Sequence, residues 1–177
     1  MGQDGGRNTI SIGGGGGFPV GGDQYNGSGD QIKDRTGSGA FSAGYEFRIF
    51  RYLAPEIGVV TMSSKSSYYG HEMEPSVYSY SGRATLVSFG ARVLAPVEPN
   101  GFELFAGGGG AYLNTTIQEL NYTGETHRYW QVQGGFRAAI DRHRRHFWLG
   151  PTVRYSRGAG GVSQPWLSVT LDLGYRF

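Results

Sequence analysis

The 177-residue chain contains no cysteine and no long apolar run. Without a thiol it cannot form a disulfide scaffold, a thiolate metal site or a cysteine nucleophile. A membrane-spanning helix is recognised by about 18 or more consecutive apolar residues, and the chain has no such stretch. The first residues, Met1 to Asp4, lead into polar sequence without the apolar segment of a secretory signal peptide. We therefore expect Met1 to be a start residue placed on a mature sequence.

An excess of one charge is also missing. The 16 Lys and Arg residues nearly balance the 14 Asp and Glu residues, and both signs are spread along the chain. We therefore expect no nucleic-acid partner. The one basic run, Arg142 to His146, is short and flanked by strand-like sequence, which indicates a solvated turn. Because the histidines show no helical metal spacing, no metal or other cofactor is expected.

Glycine and aromatic residues are abundant, with 32 Gly, 12 Tyr and 10 Phe. Glycine disfavours helices by about 1 kcal/mol relative to alanine, whereas aromatic residues favour strands. The runs Gly13–Gly17 and Gly107–Gly110 lack the Lys-Ser or Lys-Thr of a phosphate-binding loop. In strands, such glycines let the sheet bend and let bulky groups approach the backbone. The composition predicts one all-β domain over residues 1–177.

Apolar and polar residues alternate with a period of two, which is the pattern of a strand with two different faces. The pattern occurs in eight segments, each near the 9–11 residues with which a tilted strand crosses a membrane. These segments are 8–20, 39–50, 53–61, 84–94, 102–113, 129–141, 147–155 and 167–177.

Short and long connections alternate between these segments. The short ones are 51–52, 95–101 and 142–146, and the long ones are 21–38, 62–83, 114–128 and 156–165. Outer-membrane barrels have short periplasmic turns and longer extracellular loops, whereas a soluble barrel has no reason to sort its loops. The order predicts a closed, antiparallel, up-and-down barrel of eight transmembrane strands in the bacterial outer membrane.

The two faces of the strands differ in chemistry. The aromatic set is too large for the narrow interior of an eight-stranded barrel, so it is expected to face lipid. The other face carries acids and arginines near the short turns, and buried charges must be paired. We predict an ionic cluster that closes the lumen, and above it a water-filled pocket lined by Gly13, Gly15, Gly107 and Gly109. The cluster comprises Glu46, Arg48, Glu56, Arg92, Glu103, Arg137, Arg154 and Asp172.

The last segment, Leu171-Asp172-Leu173-Gly174-Tyr175-Arg176-Phe177, resembles the terminal strand of bacterial outer-membrane proteins. The whole chain is similar to the small eight-stranded group that includes OmpA-type, OmpX-type and opacity-type barrels. The resemblance implies that the outer-membrane assembly machinery recognises Leu171, Leu173, Tyr175 and Phe177.

Three functions remain open at this point. The favoured one is a non-enzymatic, monomeric barrel that displays loops for structural, adhesion or protective roles. The second is a narrow pore for small or hydrophobic solutes. The third is a lipid-modifying enzyme, for which His127 with Ser156 or Ser163 are the candidates at the outer rim, although no spacing forces this geometry.

Two tyrosine-rich stretches lie in the long connection 62–83, at Tyr68, Tyr69, Tyr78 and Tyr80. They are interpreted either as strand extensions with an interfacial girdle, or as a contact surface, since aromatic residues make good binding anchors. Expected partners are membrane lipid and lipopolysaccharide, together with an extracellular ligand that the sequence does not identify.

Overall fold

The computed structural model describes residues 7–20, 24–25, 31–69, 77–97, 101–117, 122–123, 126–140, 146–159 and 165–177. Within these ranges the regular structure consists of ten β-strands. No helix in the described part of the chain is long and apolar enough to cross a membrane. The strands are β1 (Asn8–Pro19), β2 (Gln24–Tyr25), β3 (Gln31–Phe47), β4 (Leu53–Tyr69), β5 (Val77–Val97), β6 (Phe102–Ile117), β7 (Tyr122–Thr123), β8 (His127–Ala139), β9 (Phe147–Gly158) and β10 (Trp166–Arg176).

The eight long strands form one antiparallel sheet that closes on itself. Each long strand pairs with the long strands before and after it, and β1 pairs with both β3 and β10. The backbones of Asn8 and Phe177 exchange two hydrogen bonds, of 3.1 and 2.9 Å. The two short strands β2 and β7 pair only with the ends of β3 and β6. The predicted closed, antiparallel, eight-stranded barrel is confirmed.

Successive side chains point alternately to the lumen and to the outside, as the pleat of a strand requires. The outer wall is a continuous apolar surface, on which Ile57 is 55 % exposed and Leu171 is 53 % exposed. Aromatic pairs lie toward both of its ends, such as Phe147 with Tyr175 and Trp130 with Tyr155. An apolar band with aromatic girdles is the surface that a transmembrane barrel presents to lipid.

Three strands extend furthest beyond the segments that the sequence pattern predicts. Strands β3, β4 and β5 have 17, 17 and 21 residues, and they continue into the predicted loops at 31–38, 62–69 and 77–83. Beyond the membrane both faces of a strand meet water, so the alternation of apolar and polar residues fades while the backbone ladder continues. The predicted contrast between short and long connections was therefore too large.

Candidate functional site

Inward-facing side chains fill the lumen at three levels. The level nearest the chain ends and the short connections is an ionic cluster. The middle level is a polar layer around Arg154 and Asp172. The level nearest the longer connections is an apolar cluster of Ala40, Val60, Met62, Ala84, Leu86, Ala111, Leu113, Tyr129 and Trp166. The ionic cluster consists of Glu46, Arg48, Glu56, Arg92, Glu103, Arg137 and Arg176.

Arg137 of β8 is the centre of the ionic cluster. Its Nε donates to Glu103 Oε1 at 2.6 Å, and its Nη1 and Nη2 donate to the two carboxylate oxygens of Glu46 at 3.1 and 2.8 Å. All three residues are buried. The planar guanidinium thus links β3, β6 and β8 across the lumen, a bridge that the point charge of a lysine would not reproduce.

Two further arginines complete the pairing of these carboxylates. Arg48 Nη2 donates to both oxygens of Glu103, at 3.0 and 2.8 Å. Arg92 donates to Glu46 at 3.4 Å and to the amide oxygen of Gln133 at 3.1 Å, and it forms an ion pair with Glu56. Every acid of the cluster therefore has at least one arginine partner.

Arg176, Phe105 and Trp148 are inward-facing residues that the predicted cluster did not include. Arg176 Nη2 lies 3.7 Å from Glu103 Oε1, and its guanidinium lies 4.2 Å from the centre of the Trp148 ring. The guanidinium of Arg92 lies 4.7 Å from the centre of the Phe105 ring. A signal was available in the sequence, because each of these three residues stands an even number of positions from a predicted inward charge on its own strand.

The polar layer lies between the ionic and the apolar levels. Arg154 donates to Thr170 at 2.7 Å and to Asp172 at 3.0 Å, and Ser42 donates to the same carboxylate at 2.8 Å. Between this layer and Arg137 is a cavity of about 20 Å³, also lined by Trp148. A space of this size holds about one water molecule.

The prediction of a water-filled pocket above the charges is wrong. The apolar cluster fills that part of the lumen, and Met62 and Leu86 in it are 2 % and 1 % exposed. The glycines that were expected to line the pocket instead allow close packing. A Cβ at Gly13 would overlap the Asp172 carboxylate, and one at Gly109 would overlap the carbonyl oxygen of Phe89.

The structure places the remaining candidates as follows. Tyr68 and Tyr69 lie in β4 and Tyr78 and Tyr80 in β5, with Tyr68 opposite Tyr78, but their side chains are outside the described part of the structure. Leu171, Leu173, Tyr175 and Phe177 all face outward, and Tyr175 stacks on Phe177 with ring centres 6.0 Å apart.

The predicted enzyme candidates are not brought together by any described contact. Ser156 is buried, and its hydroxyl lies 3.4 Å from Gln131 Oε1. His127 begins β8 and is exposed, and Ser163 lies outside the described residues. Within the described ranges, no group of three or more His, Cys, Asp or Glu residues could hold a metal ion.

Comparison with known proteins rests on structure, because no family model and no curated sequence matches the chain. Among solved structures, OprG of Pseudomonas aeruginosa aligns with a TM-score of 0.67 at 11% identity, covering 97% of both chains. Neisserial surface protein A aligns with a TM-score of 0.68 at 9% identity, covering 99% of this chain and 100% of that one. The chain has the fold of the small outer-membrane barrels.

A third structure carries the same fold. The attachment invasion locus protein Ail of Yersinia pestis, crystallised with the heparin analogue sucrose octasulfate, aligns with a TM-score of 0.57 at 13% identity. The alignment covers 97% of this chain and 99% of Ail. At these identities the similarity establishes the architecture, and the side chains of the lumen have to be interpreted for this chain alone.

Proposed function

We propose that the protein is a non-conducting, non-enzymatic barrel of the bacterial outer membrane that holds four connections on the cell surface. These connections, at 20–30, 70–76, 118–126 and 159–165, all follow strands that run away from the chain ends. Strands β3, β4 and β5 continue beyond the span that a membrane requires and raise part of this surface above the lipid. Structural, adhesion or protective roles would all use such a display.

The observation that supports a non-conducting lumen is that the ionic cluster fills one of its ends and the apolar cluster fills the other. The ionic cluster ties β3, β6 and β8 together near one end, through arginines that bridge the opposite walls. The apolar cluster occupies the other end, where water would have to pass buried leucine and methionine side chains. An ion crossing this lumen would have to break charged pairs and then enter an apolar region, and both steps are costly.

Conductance across planar lipid bilayers tests the proposal. We expect the refolded protein to show no steady current, and Ile57→Ala on the outer wall to behave identically. Removing both barriers, with Arg137→Ala and Leu86→Ala together, should produce transient openings. A stable channel of defined size in the unmodified protein would contradict the proposal and favour the narrow pore.

The enzymatic alternative has a separate test. We expect outer-membrane lipid incubated with the folded protein to keep its acyl chains and its mass in a mass spectrum. A time-dependent loss or transfer of an acyl chain, abolished by His127→Ala, would replace the proposed function with a lipid-modifying one.

A further inference from the structure

Charge is sorted between the two faces of the barrel wall. The carboxylates whose side chains are described, Glu46, Glu56, Glu103 and Asp172, all face the lumen. Among the described side chains, the exposed charged groups are all arginines, namely Arg7, Arg51, Arg83, Arg128 and Arg157. Among the described side chains, the outer surface of the barrel therefore carries positive charge only.

Two of these arginines lie on neighbouring strands at the end of the barrel opposite the chain termini. Arg128 is on β8 and Arg157 is on β9, where Arg157 is paired directly with Trp130. Both side chains face outward and are exposed. Arg128 is thus the diagonal neighbour of Arg157, and such neighbours lie roughly 7–8 Å apart. Two guanidinium groups at this separation can reach one anion between them.

The pair lies at the far edge of the uncharged outer wall. Arg157 lies ten positions after Phe147 on β9. At a rise of about 3.3 Å per residue and a strand tilt of about 40°, this separation spans about 25 Å, the height of the apolar band of such barrels. The outward-facing residues between them are Leu149, Pro151, Val153 and Tyr155, none of which is charged.

Aromatic side chains surround the two arginines on the outer wall. Trp130 is paired with Arg157, its ring centre lies 5.6 Å from that of Tyr155, and Tyr112 of β6 is paired with Arg128. Trp and Tyr are enriched where a membrane meets water. Together the five residues Tyr112, Arg128, Trp130, Tyr155 and Arg157 form a basic patch among aromatic rings, the composition expected where a barrel wall meets lipid headgroups.

We propose that Arg128 and Arg157 bind a phosphate group of a phosphorylated lipid in the outer leaflet, whose acyl chains lie against the wall below. Guanidinium groups bind phosphate oxygens through paired, charge-assisted hydrogen bonds. Their aliphatic stems lie along apolar surface while the charged ends reach the headgroup. The assignment rests on the proposed outer-membrane placement, which puts this end of the barrel in the leaflet that faces outward.

Lipid binding to the folded barrel tests the assignment. The barrel is reconstituted in phosphatidylcholine nanodiscs and titrated with diphosphorylated lipid A, which is measured as bound lipid by native mass spectrometry. Arg128→Gln or Arg157→Gln should each weaken binding about fivefold, and the double variant about 25-fold. Arg83→Gln on β5 and Arg51→Gln at the opposite rim serve as matched controls and should change affinity less than twofold.

The choice of ligand separates the sources of phosphate. Lipid A stripped of its phosphates should bind the unmodified protein as weakly as intact lipid A binds the double variant, and inorganic phosphate should compete only at millimolar concentration. Equal weakening by Arg83→Gln would overturn the site in favour of general attraction, and equal binding of the stripped lipid would overturn the phosphate. Gel mobility before and after heating verifies that each variant is folded. The lipid-binding result does not depend on whether the barrel conducts ions, so this proposal and the non-conducting barrel are tested separately.

Discussion

Replacing Arg137 by alanine is the sharpest test of the lumen described above. The side chain makes three charged hydrogen bonds, at 2.6, 2.8 and 3.1 Å, to two buried carboxylates. At about 1.5–3 kcal/mol each, their sum would be about 4.5–9 kcal/mol. However, Glu103 keeps Arg48 and Glu46 keeps Arg92, so part of the loss is compensated. We therefore expect the free energy of unfolding to fall by about 3–5 kcal/mol, the cost of breaking a buried ion pair.

Urea unfolding of the protein in lipid vesicles, followed by tryptophan fluorescence and by gel mobility without heating, measures this change. Arg83→Ala removes an exposed arginine and should alter the stability by less than about 0.5 kcal/mol. Adding Glu46→Gln to Arg137→Ala removes one of the carboxylates that lost this partner. The double variant should therefore lose less free energy of unfolding than the sum of the two single losses. A loss below about 1 kcal/mol for Arg137→Ala would refute the reasoning, because it would mean that the guanidinium is hydrated rather than buried.

Three further predictions concern other parts of the barrel. Leu86→Ala in the apolar cluster should lower the free energy of unfolding by about 2–5 kcal/mol in the same urea assay, and a change near zero would mean that water already fills this level. Gly150→Ala should cost about 1–3 kcal/mol, because its Cβ would overlap the carbonyl oxygen of Phe136, whereas Gly14→Ala points into open space and serves as the control. Phe177→Ala, exported with a signal peptide, should reach the outer membrane at a lower level than Phe50→Ala, which removes an exposed ring from the same rim; equal surface levels would speak against recognition of the terminal ring.

The eight strands could be predicted from the sequence because lipid and lumen impose opposite chemistry on alternate residues. Tyr45, Glu46 and Phe47 show the pattern within three positions. Where both faces of a strand meet water, the alternation of apolar and polar residues disappears. Residues 31–38 were therefore predicted as a loop, although they belong to β3. The ends of transmembrane segments are therefore easier to predict than the ends of strands.

The contents of the lumen were only partly predictable. The inward charges follow from alternation, and aromatic residues such as Tyr45, Phe89 and Trp130 do face outward. Yet Phe105, Tyr129, Trp148 and Trp166 are buried inside. A glycine at another inward position, Gly135, leaves room for one of these rings, because a Cβ there would lie 2.8 Å from Phe105 Cζ. That balance of large and small side chains depends on the stagger between strands, which no single strand pattern contains.

The pairing of β1 with β10 joins the two ends of the chain, since Thr9 lies opposite Arg176 along a ladder of eleven residue pairs. This seam can form only after the rest of the chain has been synthesised, and contacts between residues so distant in sequence form slowly. Until it forms, two strand edges remain open to other chains. Within hydrocarbon each unpaired backbone group costs several kcal/mol, so a barrel left unsealed has no stable place in the bilayer. We therefore expect folding and membrane insertion of this chain to be coupled, with the first strand kept unpaired until the last strand is available to pair with it.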